Sequence, residues 1–66
     1  MKTLDEHVLD TLRQWINASA HYIRDELNDR GCDYHVLEAI QSLERLKERG
    51  LVKSFLLAKN TIWKLT

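Results

Sequence analysis

Between Asp33 and Gly50 the chain gathers side chains suited to recognising another molecule. Tyr34, His35, Glu38, Gln41, Ser42, Arg45 and Arg49 recur at spacings that place them together on one side of a helix. Their chemistry is directional hydrogen bonding. The flat amide of Gln41 and the guanidinium of Arg45 suit paired hydrogen bonds to base edges, and Tyr34, His35 and Ser42 suit bases or phosphates. Lys53, Lys59 and Lys64 follow as point charges of the kind that hold phosphate groups. Glu38, Glu44 and Glu48 lie in the same stretch and argue the other way, for a plain solvated face.

Other chemistries have less to work with. Cys32 and His35 stand at C-x-x-H spacing, but a metal site wants three or four ligands, and His7 and His21 are distant in sequence. Neither a metal nor a cofactor is expected. The chain has no glycine-rich phosphate loop and no nucleophile motif, and its Asp, Glu and His residues fall mostly on solvated faces. An enzyme is not expected.

The elements that must position these residues follow from periodicity. Val36, Ala39, Ile40, Leu43 and Leu46 form one apolar stripe at about 100° per residue, opposite the polar side. Asp33 is a fitting N-cap and Gly50 a fitting stop for that helix. Upstream, Leu4, Val8, Leu12, Trp15 and Ile16 predict an amphipathic helix from Leu4 to about Ile16, capped by Thr3 or Asp5. Asn17-Ala18-Ser19 breaks it with a short extended link. A second helix, Ala20 to about Asp29, would then start at Ser19, bury Ala20, Ile23 and Leu27, and stop at Gly31.

Only Arg30–Asp33 joins the second helix to the third, so the two must cross sharply, as in a helix-turn-helix. After Gly50 the period falls towards 2. Leu51–Leu57 and Thr61–Leu65 predict a hairpin turning at Lys59-Asn60, which pairs Leu57 with Ile62, Leu56 with Trp63 and Phe55 with Lys64. One face then carries Val52, Leu56, Trp63 and Leu65 towards the helices. The other leaves Phe55, Leu57 and Ile62 outside, a patch that wants a second copy or another partner to cover it.

Sixty-six residues make one domain at most, spanning 1–66, with a small core. The single cysteine excludes an internal disulfide and fits a reducing, cytoplasmic setting. No apolar run is long enough for a bilayer, so no membrane partner is expected. Net charge is zero, but it is sorted along the chain. Residues 1–33 hold four Lys/Arg against seven Asp/Glu, and residues 34–66 hold six against three. The half with the third helix and hairpin is the basic one, a polarity able to orient the protein on a polyanion.

Three helices, a tight turn before the third and a closing hairpin resemble the winged helix-turn-helix superfamily, an α+β fold. The resemblance rests on Leu43-Glu44-Arg45-Leu46-Lys47-Glu48-Arg49-Gly50-Leu51-Val52, which looks like the end of a recognition helix entering its wing. Ile62-Trp63-Lys64-Leu65-Thr66 is similar to the last strand of many small members. Some Z-form nucleic-acid binders carry a tryptophan at a comparable place, but Ile40 and Glu44 stand where their asparagine and tyrosine would be. The resemblance implies a small regulator of transcription that binds double-stranded DNA as a dimer. Its third helix would lie in the major groove and its wing on the phosphate backbone. It equally admits a winged helix that docks protein or dimerises without touching DNA.

Overall fold

A computed structural model describes residues 2–66. In chain order the elements are α1 (Leu4–Gln14), β1 (Ala18–Ser19), α2 (Ala20–Asp29), α3 (Val36–Glu48), β2 (Val52–Leu57) and β3 (Asn60–Leu65). Each helix starts where a side chain accepts from a free N–H of its first turn. The Thr3 hydroxyl takes the Glu6 N–H, and the Glu6 carboxylate takes the Thr3 N–H in return. Ser19 accepts from the Tyr22 N–H at 3.2 Å.

The third start differs from expectation. Asp33 is not the cap of α3: the cap is His35, whose Nδ1 accepts from the Leu37 N–H at 3.1 Å. Glu38 completes the box by accepting from the His35 N–H at 3.1 Å. The reason lies in Tyr34, which packs partly buried against the core while its N–H donates to the Asn28 side chain. That inward anchor keeps the chain extended past Asp33 and delays the helix.

Both α2 and α3 end on a left-handed glycine, Gly31 at φ +86° and Gly50 at φ +76°. The bonding repeats. Gly31 donates to Asn28 and Cys32 to Leu27, just as Gly50 donates to Lys47 and Leu51 to Leu46. The α1 helix ends two residues sooner than the apolar spacing predicts. Trp15 is already extended, meeting Tyr22 edge-on with centroids 5.5 Å apart, and Ile16 is 87% exposed, so neither extends the buried arc. The cause is downstream, since Ala18 and Ser19 must be extended to pair with β3.

That pairing makes the sheet three-stranded and antiparallel, in the order β1-β3-β2, where a two-stranded hairpin was expected. Ala18 lies opposite Trp63 and Ser19 opposite Ile62. The hairpin turns at Ala58-Lys59, not Lys59-Asn60, with φ of +51° and +69°. Two central residues at positive φ give the type I′ twist that matches the strands. The partners change accordingly: Ser54 faces Trp63, Phe55 faces Ile62 and Lys53 faces Lys64. A pairing displaced by two keeps every side chain on its expected face. It also sets a small serine beside the indole, where Lys47 donates to Ser54 Oγ at 3.1 Å and stands 5.9 Å from the Trp63 ring.

Helices and sheet close on one core of Val8, Leu12, Ile23, Leu27, Leu43, Leu46, Val52 and Trp63, with Ala18 and Ala20 filling the narrow places. Fully burying each of the larger aliphatic groups stabilises the fold by about 1.5–3 kcal/mol. The turn works against this, because Ala58 and Lys59 both hold a conformation that side chains resist. Replacing Ala58-Lys59 by Asn-Gly should raise stability by about 1 kcal/mol. The check is a higher urea midpoint at unchanged slope; a lower midpoint would show that the turn is not of this type.

Candidate nucleic-acid interface

The solvent-facing stripe of α3 is not the one expected from the polar residues alone. It runs through Leu37, Gln41, Glu44 and Glu48, all exposed and at helical spacing. Gln41 is the one expected contact residue at its centre. His35 and Glu38 are exposed too, but both are engaged in the cap of α3. Tyr34 is half-buried against the core.

Ser42 and Arg45 turn towards α1. Ser42, expected on the exposed side, is fully buried and donates to Asp5 Oδ1 at 2.5 Å. Arg45, expected at the centre of the polar face, lies to one side and holds the same carboxylate. Its Nη2 donates to Oδ1 at 2.8 Å and its Nε to Oδ2 at 3.4 Å. Arg49 sits nearby, lining a hollow with Leu4, Asp5, Leu9 and Arg45. The Arg45 guanidinium holds the Asp5 carboxyl below the usual carboxylate range, with partial burial opposing it and the Ser42 hydroxyl adding to it.

The wing lysines are placed differently. Lys53 and Lys64 stand directly opposite each other on the face of the sheet turned away from the helices, and Lys59 occupies the turn. Phe55 and Ile62 form the next pair on that outer face, with Leu57 beyond them. Phe55 is 38% and Leu57 59% exposed, while Ile62 is half-buried. On the inner side, His21, Ile40, Glu44, Lys59 and Trp63 line a cavity of about 330 Å³ between the start of α2, α3 and the wing tip. Trp63 is only 4% exposed and belongs to the core, so its indole is not a free reading surface.

Four ion pairs occur among the described residues: Lys2–Asp10, Arg13–Asp10, Arg24–Asp25 and Arg45–Asp5. Arg30 donates to Gln14 and Lys47 to Ser54. Arg49, Lys53, Lys59 and Lys64 form none of these pairs or side-chain hydrogen bonds, and three of the four are on the wing. The C-x-x-H spacing does not bring Cys32 to His35; Cys32 Sγ lies 3.8 Å from His7 Nε2. Among the described residues no group of three or more His, Cys, Asp or Glu side chains could hold a metal ion, and no helix is long and apolar enough to cross a membrane.

Residues that sequence reasoning left out matter here. Asp5 determines where Ser42 and Arg45 point, and no local spacing connects it to them. Leu37 was findable: a leucine opposite the apolar stripe is a misfit that periodicity exposes.

The Asp5 contact predicts its own test. Asp5→Ala leaves the buried Ser42 hydroxyl without its acceptor and should cost about 1–3 kcal/mol. Asp5→Asn keeps an acceptor and loses only the charge. Because the folded carboxyl titrates below its ordinary value of 3.8, its contribution is present above that pH and is lost as pH falls through the folded value. Wild type should therefore exceed Asp5→Asn in stability at neutral pH, with the gap closing in acid. A gap that persists unchanged at the lowest pH would refute the assignment.

No protein-family model matches this sequence, and no curated protein matches it. Among solved structures the chain is similar to a domain of HOP2, from work on that protein's DNA recognition and protein interaction domains and its homologous DNA pairing properties. The TM-score is 0.83 at 18% identity, over 97% of this chain and 100% of that one. Likeness at that identity concerns the path of the backbone. The chain has the winged-helix fold: three helices and a small three-stranded antiparallel sheet.

Proposed function

We propose that this chain binds double-stranded DNA through the phosphate backbone, with little reading of base sequence. The observation that carries this is the placement of Arg49, Lys53, Lys59 and Lys64. Among the described residues none of the four forms an ion pair or a side-chain hydrogen bond, and three lie on the wing. Lys53 and Lys64 repel one another across the strands, a cost that an anion between or above them would relieve. Base reading has much less support. Arg45 and Ser42 are held by Asp5, and the stripe that would enter a major groove offers Glu44 and Glu48 beside Gln41.

This reading involves no cofactor and no catalytic step. The process served is a narrower matter. Regulation of transcription was implied by the family resemblance, yet a sequence-blind grip suits it poorly. HOP2 is described by homologous DNA pairing, and backbone binding is compatible with work of that kind. One observation favours a second reading, docking to protein: the wing's outer face exposes Phe55 and Leu57.

Titration against duplexes of several sequences at a series of salt concentrations tests the DNA reading. Four phosphate contacts give a log–log salt slope of roughly −3 to −4, and Lys59→Ala should reduce its size by about 1 for every duplex alike. Arg45→Ala should leave sequence preference unchanged. Absence of salt-dependent binding to any duplex, or a strong preference that Arg45→Ala abolishes, would sink this reading.

A further inference from the structure

We propose that α3 of one copy docks along the outer face of the wing of another, giving a head-to-tail assembly. The two surfaces match in order as well as in kind. Along the exposed stripe of α3, Leu37 comes first and Glu44 and Glu48 follow, over eleven residues or about 16 Å of helix. Along the outer face of the wing, Leu57 and the Phe55–Ile62 pair lie towards the tip, and Lys53–Lys64 at the base, over about 14 Å of strand. Laid together in one direction, leucine meets the apolar patch and both glutamates meet the lysine pair. Leu37 is 60% exposed and is not among the apolar groups packed against the core.

The alternative of wing against wing is physically poorer. The outer face carries two lysines and no carboxylate, so two such faces would bury Phe55 and Leu57 while gathering four positive charges. Helix on wing pairs each charge with its opposite. It also uses two different surfaces, so every copy keeps one free helix and one free wing. Such contacts propagate into a ring or a filament and do not stop at a twofold dimer. The apolar patches are small, and the association is therefore concentration-dependent.

Two substitutions separate the halves. Leu37→Asp disables the helix surface and Phe55→Asp the wing surface, each at an exposed position and with every lysine kept. In sedimentation velocity the wild type should form species beyond a dimer as concentration rises. Each variant alone should be monomeric with an unchanged helical spectrum. Mixed in equal amounts, they should form a one-to-one dimer and nothing larger, because only one competent helix and one competent wing remain. If Phe55→Asp loses its cooperative unfolding transition, Leu57→Asp takes its place. A wild type that stays monomeric, a Leu37→Asp that associates like wild type, or a mixture that stays monomeric would each overturn the proposal. Both variants retain the four free cations, so their salt-dependent DNA binding reports separately on the reading above.

Discussion

Trp63 is the point on which the separate parts of this chain depend. Its backbone lies between Ala18 of β1 and Ser54 of β2, and its indole closes the core formed by the three helices. Of the other aromatic side chains, Trp15 and Tyr22 pair at the edge, Phe55 points outward and Tyr34 packs only partly buried against the core, so the indole of Trp63 is the one that is buried within it. Holding one indole between two strands fixes where the wing stands relative to α3. It also limits what the helices can cover. Leu56 shares the inner face but lies one step nearer the tip, past the helices, and stays 76% exposed.

What the sequence reveals is mostly what periodicity can carry. The apolar stripes of α2 and α3, and that of α1 as far as Leu12, pack on the core as spacing predicts, and Gly31 and Gly50 are the residues that end α2 and α3. The failures are at places where a distant contact overrides a local preference. Ala18–Ser19 is too short to show a period of two, and only β3 makes it a strand. Trp15 and Ile16 continue the helical pattern, but that pairing pulls the chain out of α1 before they join. At the turn, Lys59-Asn60 looks better by composition, yet Ala58-Lys59 forms it, and that register sets Ser54, not Leu56, opposite Trp63.

The same contrast governs the candidate site. A helical wheel of α3 separates polar from apolar residues, but polar is not the same as exposed. Ser42 lies at the margin of the buried stripe, small enough to be covered by α1, and Asp5 gives its hydroxyl a partner there. Arg45 flanks it and follows the same carboxylate. A pair separated by about forty residues cannot be read from spacing. Lys53 and Lys64 were legible because they stand on the face of the sheet turned away from the helices.

The absence of net charge hides a sorting that bears on both proposed partners. Carboxylates of α1 and α2 take up cations at Lys2, Arg13, Arg24 and Arg45, while Glu44 and Glu48 remain on α3 and Lys53, Lys59 and Lys64 remain on the wing. A duplex and the α3 of a second copy would call on the same Lys53–Lys64 pair. On the two readings together, bound DNA and self-assembly compete, and linkage makes the competition reciprocal: DNA lowers the affinity of one copy for another by the same factor as assembly lowers the affinity for DNA. Lys59 and Arg49 lie outside the shared surface, so the competition is partial. The acidic stripe of α3 then acquires a definite physical role. It is unsuited to a phosphate backbone, and on these readings it would occupy the wing wherever no polyanion does.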